Sequence, residues 1–257
     1  MASAVHWALR LRTDSCADPM RRVVPPSMRA IPFESFRDRH LGERAVVVGK
    51  GATTFEYGDL ARLDTPTYFV NDSVCLERFV APTRPCYWFA HDRGQMVWMP
   101  KLTRAIAVLP EDGKVLDGPS DPVLESAREY TLYHWRVREQ DVVVRQSKEE
   151  LARTRELFTD QGTIHSLLHF VWFCGVKKVS FIGCDGLEVS TRSAHLAHPE
   201  TGYDARIENA SNSAPWGTFS RIRKGQDRLC RKLGFEVEHL GTPPRPGLIS
   251  KLLGGGA

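Results

Sequence analysis

Gly49-Lys50-Gly51 stands directly behind the run Arg44-Ala-Val-Val-Val48, and these residue types suit the holding of a phosphate. Glycines let a backbone approach an anion and take positive φ. Free N–H groups at the start of a following helix then bind the charge. Lys50 adds a cation, and Thr53 and Thr54 add hydroxyl donors. The segment is neither a GxxxxGK[ST] loop nor a complete GxGxxG, because Thr54 stands where the last glycine would fall. Further along, Asn71 carries an amide suited to a base, a ribose or a sugar hydroxyl, and is equally a turn former. His91-Asp92 suits acid–base work or a metal, or else a simple strand-end turn. Gly162 and Thr163 open an apolar segment where an anion could dock at a helix start. Asp185 follows Val-Ser-Phe-Ile-Gly-Cys and suits ribose hydroxyls, a metal or an acceptor. His195 and His198 lie in a polar stretch and are candidate general bases. His165 and His169 share one helix face at four-residue spacing, but no HExxH accompanies them, and His169 reads as a hydrogen-bonded core histidine.

Those residues need elements to position them. Arg44–Val48 is a β-branched run and reads as a buried strand. Thr67–Asn71, Cys86–His91, Arg104–Leu109, Val179–Gly183 and Phe235–His239 read as further strands. Tyr57–Leu63, Ser147–Leu157, Thr163–Gly175 and Trp216–Leu233 read as helices, with Gly175 as a C-terminal cap. Pro110–Asp141 is expected to hold loops and a short strand or two. The alternation predicts an α/β fold with a mostly parallel sheet and helices on both faces. Ligands in such sheets bind beyond the carboxyl ends of the strands, which is where the candidate residues fall. Residues 1–30 read as a poorly ordered extension, in which Met28 could be the natural start. Residues 31–241 read as a single α/β nucleotide-binding domain with a lid or flap over about 190–215, and 242–257 as a flexible tail.

The 257 residues, 42% hydrophobic and 26% charged, suffice for a core, and this excludes a disordered body. A net charge of +4 favours an anionic ligand, yet no basic run is long enough to imply nucleic acid. The densest, Arg221-Ile-Arg-Lys224, reads as the solvated face of a helix. The six cysteines form no CxxC pair and read as buried free thiols, without a zinc site. No stretch approaches the roughly 20 apolar residues of a membrane span, and a cytoplasmic location is expected. A homo-oligomer is compatible with the chain.

Two segments together resemble a known family. AVVVGKGATTFEYGDL followed by TYFVND is similar to the opening of bacterial sialyltransferases of glycosyltransferase family 42. It also resembles the related domain-of-unknown-function 115 proteins, which include 6-hydroxymethylpterin diphosphokinases. GTIHSLLHFVWFCGVKKVSFIGCDG is similar to their later pattern of turn, buried helix and strand ending in G-x-D. The chain departs from that pattern at Thr53-Thr54 and in Cys184-Asp185-Gly186-Leu187, which lacks the tyrosine that the sialyltransferases often carry after that Asp. The resemblance implies a modified Rossmann-like fold with a lid. On the sialyltransferase side it implies a CMP-type nucleotide-sugar donor, a glycan acceptor, no metal and no tightly bound cofactor. Gly49, Gly51 and Asn71 would then line the nucleotide pocket, with Gly162 and Thr163 at the donor's anionic group and His195 or His198 as base. On the diphosphokinase side the substrates would be ATP with Mg²⁺ and a small alcohol, with Asp92 and Asp185 facing the metal. The expected function is therefore a transferase, first a glycosyltransferase, with the diphosphokinase or a non-catalytic nucleotide-binding module as alternatives.

Overall fold

The computed structural model describes residues 29–49, 64–90, 104–111, 129–137, 145–159, 162–184 and 217–240. The run of β-branched residues at Arg44–Val48 forms a strand, β2, buried on both faces. Around it stand β1 (Arg29–Ala30), β3 (Thr67–Val70), β4 (Cys86–Phe89), β5 (Ile106–Pro110), β6 (Glu129–Val137), β7 (Glu156–Thr159), β8 (Lys178–Ile182) and β9 (Glu236–His239). The order across the sheet is β1-β6-β5-β4-β3-β2-β8-β9, and β7 also pairs with β6. Every pairing among the described residues is parallel. The expected parallel α/β architecture is therefore present. β1 and β7 share one edge of β6, because Tyr130 and His134 bond to the same side: Ile31 N–H donates to the Tyr130 carbonyl and His134 N–H to that of Arg155. Arg29–Ala30, at the end of the span read as an extension, is thus part of the sheet.

Alternation along the strands sends residues to two cores. Ala45, Val47, Tyr68, Tyr87, Phe89, Val108, Val179 and Phe181 face one side. There they meet α1 (Lys148–Thr154), α2 (Thr163–Phe173), α3 (Gly217–Leu233) and a 3-10 turn at Phe33–Phe36. Phe170 is the hub of this side, with ring centroids 5.4 to 6.4 Å from Phe36, Phe33, Phe89, Tyr68 and Tyr87. Burial of that one ring contributes about 2–3 kcal/mol. On the other side Val46, Val48, Phe69, Trp88, Ala107 and Leu109 pack under a longer 3-10 helix, Asn71–Phe79.

Two elements differ from the sequence expectation. Glu129–Val137 is one nine-residue strand where loops and a short strand or two were expected. The helix expected over Ser147–Leu157 starts as predicted, with the Ser147 hydroxyl accepting from Glu150 N–H at 3.1 Å. It stops at Thr154 because Arg155 turns to φ 55, and Glu156 and Leu157 enter β7. The expected helix at Tyr57–Leu63, the flap and the tail lie outside the described residues.

Cys86, Cys174 and Cys230 are buried free thiols, as expected, and burial pushes them up to about 11, 12 and 12. His169 is a core histidine. Its Nδ1 accepts from Phe158 N–H at 3.2 Å, so the ring's one proton sits on Nε2. Complete burial pushes its pKa down to about 3 from the usual 6.5. The unfolded chain therefore takes up a proton below 6.5 that the folded chain refuses. Stability from this group is full above pH 6.5 and falls as the pH drops toward 3. The slope is about 1.4 kcal/mol per pH unit. Burial lowers the pKa of His40 as well, which acts in the same direction. Urea unfolding between pH 7 and 4 should show the slope, and His169→Gln should reduce it by about one proton. An unchanged slope in the variant would place the proton uptake elsewhere.

Candidate functional site

The chain leaves β2 toward β3 on one side and later returns on the other side as β8. Adjacent strands connected in opposite directions leave a crevice at their carboxyl ends, the place where open parallel sheets bind ligands. β2 ends at Val48 and is followed by Gly49, and β8 ends at Ile182 and is followed by Gly183-Cys184. The two ends touch. Gly49 N–H donates to the Ile182 carbonyl at 2.8 Å. A Cβ on Gly49 would stand 2.3 Å from the Gly183 oxygen and 3.0 Å from Cys184 Sγ. Only glycine fits, and Gly183 itself has φ 65. The Gly49 amide thus belongs to the sheet.

Asn71 closes β3 at the same edge. It is buried, with φ 53, and its carbonyl accepts from Trp88 Nε1 at 2.8 Å. Two residues on, the buried Ser73 hydroxyl donates to the Val48 carbonyl at 2.7 Å, which ties the Asn71 turn to the end of β2. α2 begins beyond β7 and ends just before β8, so its N-terminus lies at the carboxyl edge too. Gly162 caps it with extended backbone and no side-chain cap, and Thr163 is its first residue. Gly162 faces the side chain of Ile222 on α3, and His165 Nε2 bonds the Ile222 carbonyl at 3.2 Å.

The next residue of α3, Arg223, closes the circuit. Its Nη1 donates to the Cys184 carbonyl at 2.9 Å, and its Nε to both carboxylate oxygens of Asp227, at 3.2 and 3.4 Å. Its Nη2 lies 2.7 Å from Nε2 and 3.1 Å from Nδ1 of His239, at the end of β9. A continuous chain of contacts therefore runs from Asn71 and Ser73 through Gly49 and Cys184 to Arg223, Ile222 and Gly162. Of the residues singled out in the sequence, Gly49, Asn71, Gly162 and Thr163 are at this edge. Lys50, Gly51, Thr53, Thr54, His91, Asp92, Asp185, His195 and His198 lie outside the described residues.

Ser73, Cys184, Arg223 and His239 were not singled out. Arg223 belongs to the run read as a solvated helix face. Lys224 fits that reading, being exposed, but Arg223 is half-buried and bonded inward. The one local signal was Asp227, four residues on, which marks a helix pair. Among the described residues no three His, Cys, Asp or Glu side chains are gathered to hold a metal ion. No helix among them is long and apolar enough to cross a membrane. Comparison with models of protein families, with curated proteins and with solved structures gives no match.

Proposed function

We propose that this chain is a transferase that binds a nucleotide-linked donor beyond the carboxyl ends of β2 and β8. The observation that carries the reading is the crevice formed where β3 and β8 leave β2 in opposite directions, with a glycine-containing segment opening from it. On this reading the residues from Lys50 to Thr54 receive the donor's phosphate, Asn71 the nucleoside, and the α2 start at Gly162-Thr163 a second anionic group. The leading chemistry is glycosyl transfer, which rests on the motif resemblance. The sugar–phosphate C–O bond breaks, a new C–O bond forms to the acceptor hydroxyl, and His195 or His198 takes the hydroxyl proton. Donors aimed at the departing phosphate stabilise its developing charge.

Calorimetric titration with CMP, CDP, UDP, GDP and ATP, each with and without Mg²⁺, tests the reading. Metal-independent CMP binding is the expected result. Binding of ATP only with Mg²⁺ would replace glycosyl transfer by pyrophosphoryl transfer. No binding of any of the five at millimolar concentration would overturn the nucleotide reading itself.

A further inference from the structure

We infer that Arg223 is a positioning residue for this site: it fixes the point, at Cys184, at which the chain leaves β8. The inference rests on the nucleotide reading of the β2/β8 mouth. An i,i+4 pair on a solvated helix contributes little and needs no third partner. Among the described residues Arg223 has two more. Its guanidinium is held by Asp227 on its own helix, by the Cys184 carbonyl beyond β8 and by the His239 ring beyond β9. His239 is in turn stacked on Phe181 of β8, with centroids 5.4 Å apart and planes 21° apart. Three partners in three directions suit the planar fork of arginine and not the single point of a lysine.

The residue so held is also the wall of the mouth. Cys184 Sγ is one of the atoms a Cβ at Gly49 would meet, so a displaced Cys184 alters the space beside Gly49. Asp185 is the next residue in the chain, and the phosphate-loop candidate begins at Gly49. One side chain on α3 thereby sets the starting points of both candidate segments, although it belongs to neither.

Amide hydrogen exchange on the full chain without ligand tests the anchoring, read at Gly49 and in the peptide that spans the end of β8. Arg223→Ala should speed exchange there by about ten-fold or more, while β3 and β4 stay at the wild-type rate. Arg223→Lys should fall in between. Asp227→Asn, a milder change that keeps the arginine, should move exchange in the same direction, and it serves if the alanine variant does not fold. CMP and ATP–Mg²⁺ titrations of the same proteins form the second arm. Affinity for whichever nucleotide the wild type binds should fall by about ten-fold in Arg223→Ala and by less in Arg223→Lys. Wild-type exchange in all three variants overturns the anchoring. Faster exchange with unchanged affinity overturns the link to the ligand. A wild-type chain that binds no nucleotide removes the functional reading and the ligand role together, and the exchange arm then still decides whether Arg223 holds the strand end.

Discussion

Gly49→Ala should cost the protein about 3 kcal/mol or more, at the upper end of what overpacking costs in a buried core. A Cβ at this position would overlap backbone, 2.3 Å from the Gly183 oxygen and 2.9 Å from its carbon. Neither atom is the tip of a flexible side chain, so relief requires parting β2 from β8 within the sheet. Gly162→Ala is the control. Its Cβ would be 3.4 Å from the movable end of Ile222 on backbone any residue can adopt, and the change should cost about 1 kcal/mol or less. Urea unfolding of the two variants reads the difference. Equal midpoints would mean that β2 and β8 do not approach as described.

Glu77→Ala should produce a loss of similar size by another route. The buried Glu77 carboxylate accepts from Arg104 N–H at 2.6 Å and from Ala105 N–H at 2.9 Å. Arg104 answers with its guanidinium, which donates to the carbonyls of Val80, Ala81, Pro82 and Arg84 at 3.0 to 3.2 Å. The start of β5 is thus clasped to the end of the Asn71–Phe79 helix. Removing the carboxylate strands two amides, at about 1.5 kcal/mol or more for each charge-assisted bond. Glu77→Gln keeps one acceptor oxygen and should lose about half as much. An alanine variant with the native urea midpoint would show that the clasp contributes nothing.

Much of the fold was legible because it rests on local pattern. The run Arg44–Val48 is a strand to the residue, and α2 and α3 begin within one residue of where apolar spacing puts them. The errors come from single backbone turns. Asn71 looks like the end of a strand but takes φ 53 and opens a helix, and Arg155 takes φ 55 and ends one. Arg155 is of a type that does not advertise this conformation, whereas Asn71 is of a type that does, and its turn was one of the two readings open for it. β6 was obscured because its alternation carries Glu129, His134 and Arg136 among the aromatics, which reads as loop. At the site, Gly49 was found through its type, but its necessity comes from a second glycine 134 positions away, Gly49 to Gly183. Arg223 was passed over since its partners Cys184 and His239 lie 39 and 16 positions off, a proximity that only the sheet order creates.

The place of β2 between β3 and β8 has a consequence for how this chain is made. β3, β4 and β5 can be laid down beside it in order as they leave the ribosome. Its other neighbour is β8, paired from Arg44↔Lys178 to Val48↔Ile182. Until residue 182 has emerged, the nascent sheet carries an open, apolar parallel edge of Val46, Val47 and Val48. Unpaired edges of that kind recruit other strands. A chain cut short before β8 should therefore aggregate rather than persist as a smaller folded unit.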